Sequence, residues 1–312
     1  MNTHKSPDRP LVALIAGPTA SGKSGLAMDL AERWHGTIIN ADASQVYRDL
    51  RVLTARPTAN DEARVPHRLF GQIDGADSHS AAAWAADARA AIFDTLAAGR
   101  LPILVGGTGL YLRTLLDGIA PIPDIDPDIR AMVRSLPVDD AHRALADVDP
   151  EAAGRLRASD TSRVARALEV ILSTRRPISE WQSDRIGGIN DQIRLNALVL
   201  LPDRAWLTQR IDARLAAMFA GEARAEVAAL LNRNDIPANA PVRRAIGVAE
   251  ISTWIAGDLT ETEALARARM ATRQYAKRQY TWFRNQPPSD WIRTNAIDSN
   301  ALINLFEIKL RT

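Results

Sequence analysis

Residues 17–24, Gly-Pro-Thr-Ala-Ser-Gly-Lys-Ser, fit the pattern GxxxxGK[ST]. Glycines let such a loop curl until its backbone N–H groups converge on phosphate oxygens. The helix that follows adds a positive partial charge at its N-terminus. Gly17, Thr19, Ala20, Ser21, Gly22, Lys23 and Ser24 are therefore candidate phosphate-binding residues. Lys23 can neutralise the outer phosphate, and Ser24 can ligate Mg²⁺. The loop does not name its ligand, since ATP, GTP and other diphosphates all fit. A kinase or NTPase also needs an apolar strand ending in Asp near the metal. TIINAD does end in Asp42, but it follows the first helix, and the later run LPILVGGTG ends in glycines. The acid is displaced or missing, which argues against ordinary ATP hydrolysis.

Asp42 comes at the C-terminal end of an expected strand, where parallel sheets place ligands. It reads either as a catalytic or ligand-binding carboxylate or as a helix cap. Ser44, Gln45, Tyr47 and Arg48 follow closely, a set able to hydrogen-bond a nucleobase edge. Gly106-Gly107-Thr108-Gly109 is a second strand-to-helix turn that can approach a substrate closely, or simply a tight turn. Arg163, Arg166 and Glu169 share a helix and read as an ion-paired face or as a clamp on a phosphate backbone. Between Arg267 and Arg284 there are basic residues and no acidic one. Arg269, Arg273 and Lys277 recur at i, i+4 and i+8. Gln274, Arg278 and Thr281 lie beside them, and Tyr275, Tyr280, Trp282 and Phe283 are interleaved. A purely basic stripe with amides and aromatics suits nucleic acid, although charge runs are often just solvated faces.

These groups need a scaffold. Apolar runs at 11–16, 37–41, 101–105 and 195–202 read as buried strands, and WIRTNA as a short last one. Helical spacing appears at 23–34, 81–96 and from about 110. The alternation argues an α/β fold with a parallel sheet. The pattern breaks at IAPIPDIDPDIR (119–130), and only helices are expected from there to about 182: 129–136, 139–147, 151–156 and 161–173. Further helices are expected at 203–220, 222–233, 242–256, 261–285 and 299–310. The division expected is a flexible tail at 1–10, a catalytic core at 11–119 and 191–312, and a helical insertion domain at 120–190.

The bulk properties narrow the function. Apolar residues make up 46% of the 312, enough for a sizeable core. No apolar run is long enough to span a membrane, and the polar N-terminus carries no signal-peptide core. Cysteine is absent, which excludes disulfides, thiolate metal sites and a Cys nucleophile and fits a cytoplasmic protein. The five histidines are scattered, with no metal-ligand spacing. Net charge is only +2, so the basic helix is a local field on a nearly neutral protein.

Taken together, the chain resembles the tRNA dimethylallyltransferases, the bacterial tRNA isopentenyl transferases, from about residue 11 to 295. The residues that carry the resemblance are GPTASGKS, DASQVYR (42–48), VPHRL (65–69), VGGTGLY (105–111), RVARALEV (163–170), RAIG (244–247) and ATRQYAKRQYTW (271–282), in the family's order. The resemblance implies a P-loop NTPase-like parallel sheet flanked by helices, with an all-helical insertion that grips tRNA. It implies transfer of a dimethylallyl group from dimethylallyl diphosphate to N6 of the adenine immediately 3′ of the anticodon, in tRNAs reading codons that begin with U. The loop then holds a leaving diphosphate, with Mg²⁺ on Ser24, and no water must be aimed at a γ-phosphate. Asp42 becomes the base that accepts or orients the N6 proton, and Arg214 the cation that steadies the diphosphate as charge builds.

The same resemblance assigns tRNA contacts. Asp42, Ala43, Ser44 and Gln45 lie at the bases, and Thr108 and Arg130 near the flipped adenine. Arg163, Arg166, Ala167, Leu168, Glu169 and Val170 contact the tRNA, as do Arg244, Thr272, Arg273, Gln274, Lys277, Arg278 and Gln279. A monomer acting on the anticodon stem-loop in the cytoplasm is expected. The chain departs from the family at DLRVLTARP (49–57), at His67-Arg68 and at Val248-Ala249-Glu250. The alternatives are a P-loop small-molecule kinase using ATP, and an RNA-binding module with a decayed loop. The basic helix counts against the first, and intact Lys23, Ser24 and Asp42 against the second.

Overall fold

The structure is a computed structural model that describes residues 9–310, with side chains through 307. Residues 1–8 of the expected tail lie outside the described residues. The chain divides into two compact units, residues 1–115 with 190–312, and residues 116–189. The expected insertion began at 120, within the segment that the structure gives to the second unit.

The first unit is built on six parallel strands in the order β3-β2-β4-β1-β5-β6. They are β1 (Leu11–Ala16), β2 (Gly36–Asn40), β3 (His67–Arg68), β4 (Leu101–Gly106), β5 (Arg194–Leu200) and β6 (Ile292–Thr294). Ala13 pairs with Ile103 on one side and with Asn196 on the other, so β1 is central. Its residues Val12–Ala16 are fully buried, as a strand covered on both faces must be. The helices that follow in order are α1 (Lys23–Arg33), α2 (Ala59–Arg64), α3 (Ala81–Ala97) and α4 (Gly109–Asp117). The second unit carries α5 (Pro127–Ser135), α6 (Val138–Val148), α7 (Pro150–Arg155), α8 (Thr161–Thr174) and α9 (Ile178–Ser183). The chain then returns through α10 (Arg204–Ala220), α11 (Ala223–Leu231), α12 (Val248–Ile255), α13 (Glu261–Asn285) and α14 (Ser299–Leu310).

Leu26 and Leu30 of α1 pack with Ile15, Ile38, Ile103 and Phe306 in one apolar cluster. Each such side chain taken fully out of water contributes about 1.5–3 kcal/mol. This anchors α1 under the sheet, with its first turn at the end of β1. α13 starts on a capping box, in which Thr260 accepts from Glu263 N while the Glu263 carboxylate accepts from Thr260 N at 2.8 Å. Ala264, Ala268, Thr272 and Ala276 recur every four residues on its buried face, and small residues there let the long helix lie close to its neighbours.

The helix expected at 242–256 is broken. A 3₁₀ turn covers Pro241–Arg244, and α12 restarts at Val248. Gly247 between them has φ 100°, and a β-carbon on it would meet Leu53 Cδ1 at 2.7 Å. Left-handed backbone and crowding together require glycine.

The second unit has its own core of Val133, Ala141, Leu145, Val164, Ala167, Leu168 and Ile171. Asp126, Asp149 and Asp160 cap its helices through their carboxylates. Among the described residues no helix is long and apolar enough to cross a membrane.

Candidate active site

The phosphate loop joins β1 to α1. Gly17 has φ 152°, and a β-carbon there would lie 2.6 Å from Leu200 O. Gly22 has φ 94° and leads into α1 without any side-chain cap. The first amides of α1 are therefore left for an outside acceptor, the arrangement that binds phosphate. Ser24 is exposed in that first turn.

Lys23 is only partly exposed, and its ammonium donates to Pro18 O at 3.3 Å. Burial lowers its pKa to about 8; the Asp42 carboxylate opposes that fall and the Arg214 guanidinium adds to it. Arg214, on α10, donates to Thr19 Oγ1 at 2.5 Å. Arg214 Nε and Ser21 Oγ are buried and have no protein partner among the described residues. Buried donors of this kind call for an acceptor, a need that phosphate oxygens could meet.

Thr19 is held twice. Its amide donates to Gln279 Oε1 at 2.8 Å, and Gln279 Nε2 donates to Gly107 O at 2.9 Å. One carboxamide thus ties the phosphate loop to the second glycine-rich turn. A β-carbon on Gly107 would lie 2.3 Å from Gln279 Nε2 and 3.0 Å from Gly17 O, so it would push the carboxamide out of this brace. Gly106 is equally fixed, since its β-carbon would lie 2.0 Å from Ala41 O. The strand beside β1 ends in these glycines for packing reasons, which is why it carries no acid.

Asp42 follows β2 by two residues. Its amide donates to Asn40 Oδ1 at 2.8 Å, its carbonyl accepts from Asn40 Nδ2 at 3.0 Å, and its Oδ1 accepts from Ser44 N at 3.0 Å. Asn40 is itself fixed by Leu69 O, and its carbonyl takes the buried Trp84 Nε1 proton at 2.9 Å. Ala43 N donates to Thr108 Oγ1 at 3.0 Å. The loop carrying Asp42 is thereby fastened on both sides, with the second carboxylate oxygen, Oδ2, left over.

Asp42 opens into a cavity of about 270 Å³. Thr19 and Arg214 face it from the phosphate side, and Arg244 and Arg278 add two more cations. Leu53, Leu215, Met218 and Ile246 supply an apolar wall, and Tyr275 a ring. Asp42 is the one acid among these lining residues. Burial, and then the Asp42 charge, push the Tyr275 hydroxyl pKa upward, so it stays protonated. A cavity with an apolar wall, one carboxylate and converging cations can hold an uncharged planar group beside a phosphorylated one.

Several sequence expectations change here. Gln279 is buried and braces the phosphate loop, while Thr272, also buried, lines the cavity with Asp42. Ala167, Leu168, Glu169 and Val170 are buried, so within 163–170 only Arg163, Ala165 and Arg166 reach the surface. Glu169 accepts from Arg134 Nε at 2.9 Å and has Arg166 at 3.8 Å, holding both guanidiniums in place. Arg130 adds its charge to this same cluster. Gln45 commits its amide protons to Thr54 O and Ala55 O, both at 2.9 Å. Arg273 is ion-paired with Asp212, its Nε and Nη2 donating to the two carboxylate oxygens. Gln274, Lys277 and Arg278 are exposed. Sequence reasoning missed Asn40 and the role of Gln279; a lone polar residue in the apolar run TIIN was the available signal for the first.

Comparison with known proteins shows the chain's relatives. A family model described as IPP transferase matches residues 45–286. A tRNA dimethylallyltransferase of Sphingopyxis alaskensis is 58% identical over 96% of this chain and 98% of its own. One from Erythrobacter litoralis is 53% identical over 93% of each. Among solved structures, a full-length tRNA isopentenylpyrophosphate transferase from Bacillus halodurans is similar with TM-score 0.69 and 32% identity, covering 97% of this chain and 96% of that one. A eukaryotic dimethylallyltransferase acting on tRNA is similar with TM-score 0.76 and 28% identity, covering 88% and 70%.

Proposed function

Since the chain belongs to the IPP transferase family, we propose that it moves a dimethylallyl group from dimethylallyl diphosphate to N6 of the adenine immediately 3′ of a tRNA anticodon. The observation that carries this reading is the shared cavity. Asp42 opens onto the same space as Thr19 and Arg214, so an acceptor at the carboxylate meets a donor held by the phosphate loop. The kinase alternative finds no support in the relatives or in the packing of Gly106 against Ala41.

The amides of the loop and of α1 hold the diphosphate. Lys23 and Arg214 take up the charge that grows on it as the C–O bond breaks. The exocyclic amine of adenine is a weak nucleophile. Asp42 orients it by accepting one N6 proton and removes that proton as the new C–N bond forms. The apolar wall from Leu53, Leu215, Met218 and Ile246 shelters the five-carbon group from water. The adenine must leave its stack to enter. Arg244 and Arg278 suit phosphates at the cavity itself and Lys277 those further along α13, and the Arg130, Arg134 and Arg166 cluster is a second basic surface, on the helical unit.

Mg²⁺ commonly binds through substrate phosphates, waters and one or two protein oxygens. The exposed Ser24 hydroxyl beside the loop suits that role, and no cluster of three acids or histidines is found among the described residues. The cation would screen the diphosphate as it departs. A monomer is the proposed acting form, and the cytoplasm its proposed location, where the tRNA substrate would be met.

The test is an incubation of protein, Mg²⁺, unmodified tRNA and labelled dimethylallyl diphosphate, with a parallel reaction containing ATP instead. Label on one adenosine beside the anticodon is expected. Phosphate released from ATP, with no label transferred, would sink the reading. Pyrophosphate binding with and without a chelator tests the metal separately.

A further inference from the structure

We propose that Glu226, on α11, is a positioning residue for the transfer reaction, its carboxylate holding loop 49–57 in place as the wall of the acceptor cavity. The inference rests on the transferase reading above. Glu226 Oε1 accepts from the amides of Arg51 and, at 2.8 Å, of Val52, and Oε2 accepts from Leu53 N at 2.9 Å. Successive amides converging on one anion form a nest. Here the anion is a side chain from more than 170 residues away.

A second tie lies just past the end of α11. Arg233 donates to Asp49 Oδ1 at 2.8 Å and to Asp74 Oδ1 at 2.7 Å, and Asp49 Oδ2 accepts from Gly75 N at 2.8 Å. On its other side the loop is held by Gln45, through Thr54 O and Ala55 O. The Leu53 side chain is buried against Gly247.

The held loop faces the chemistry on two sides. Leu53 and Thr54 line the cavity with Asp42 and Arg214. Ala55, Arg56 and Pro57 line a second cavity, of about 180 Å³, together with Lys23 and Ser24. The loop is a partition between these spaces. Within it the Arg51 guanidinium donates to Pro57 O at 2.9 and 2.7 Å, and Arg56 N donates to Arg51 O at 3.0 Å, which shapes the turn. Glu226 ties that turn to α11. None of the Glu226 oxygens reaches the cavity, so its effect passes through the backbone of residues 51–53.

The experiment compares the full-length chain with Glu226→Gln and Glu226→Ala by amide hydrogen exchange and by steady-state transfer of labelled dimethylallyl to tRNA. Gln keeps the shape and one accepting oxygen; Ala removes both. Exchange at residues 51–55 is expected to quicken about tenfold in Glu226→Gln and more in Glu226→Ala, with residues 17–24 unchanged. kcat/KM for tRNA is expected to fall about tenfold in the first and further in the second, while KM for the diphosphate stays within about twofold. Unchanged exchange at 51–53 overturns the proposal. So does faster exchange with unchanged kcat/KM, or a loss of kcat/KM matched by an equal loss of diphosphate-binding capacity. A wild-type chain that transfers no label overturns the transferase reading instead, and the exchange result still decides whether Glu226 holds the loop.

Discussion

The Gln279 carboxamide accepts the amide proton of Thr19 at 2.8 Å across 260 residues of chain. It also donates to Gly107 O at 2.9 Å, so both of its ends are used. The phosphate loop is thus braced from α13, the same helix whose outer face carries the exposed cations Lys277 and Arg278. Gln279→Ala leaves a buried donor and a buried acceptor unpaired, each costing about 1–3 kcal/mol. KM for dimethylallyl diphosphate should rise at least fivefold, with tRNA affinity within about twofold. Steady-state kinetics and a tRNA titration read the two separately. A loss confined to tRNA affinity would return Gln279 to the nucleic-acid face.

Lys23 gives the site a pH dependence. Its folded pKa of about 8 lies below the ordinary lysine value of 10.5, with burial the largest cause. Between these values the unfolded chain holds the proton that the folded chain has released, so this group makes stability rise with pH across that window. Anion binding runs the other way. The ammonium that attracts the diphosphate is lost as pH rises through about 8, and a bound diphosphate draws the proton back. Pyrophosphate affinity should therefore fall between pH 7 and 9.5, with proton uptake on binding near pH 8.5 detectable by calorimetry in two buffers. Lys23→Arg should flatten the profile, and a wild-type profile already flat over that range would refute the assignment.

Local signals in the sequence were the legible ones. The phosphate loop needs its glycines, lysine and serine within eight consecutive positions, and the long strands announce themselves as short apolar runs. β3 escaped notice because two residues, His67 and Arg68, carry no periodicity. The break at Gly247 depends on Leu53, which is far away in the chain. The family resemblance makes the RVARALEV segment a tRNA contact, although its arginines by themselves read as an ion-paired face. Yet Val164 and Leu168 in that segment, with Ile171 just past it, fall at i, i+4 and i+7, the pattern of a buried face, and the core takes them. Asn40, Gln279 and Glu226 act through hydrogen bonds to backbone that folding alone brings near, so no spacing reveals them.

The basic face of α13 divides into paired and unpaired charge. Arg273 is matched by Asp212, whereas Lys277 is exposed with no ion pair to an acid among the described residues. A cation that displaces counterions from a phosphate contributes about 0.7–0.9 to the slope of log affinity against log salt. Lys277→Gln should reduce that slope for tRNA by about this amount. Arg273→Gln should reduce it by less, because Asp212 already offsets its charge. Filter binding over a range of salt concentrations checks both. Equal slopes for the two variants would mean that Asp212 releases Arg273 when RNA binds.

Asp42 is the sharpest test of the chemistry. In Asp42→Asn the oxygen that accepts from Ser44 N can be kept, so the turn and its neighbours survive while the charge is lost. A base acting on the transferred proton is worth about 10²–10⁴ in rate. kcat should fall within that range, with KM for the diphosphate and affinity for tRNA within a few-fold of wild type. Asp42→Ala should fall at least as far, since it loses both the charge and the bond to Ser44. Rapid-quench measurement of a single turnover isolates the transfer step from product release. An Asn variant with wild-type single-turnover rate would remove Asp42 from the proton's path and leave it a structural turn residue, fastened by Asn40 and Ser44 for packing alone.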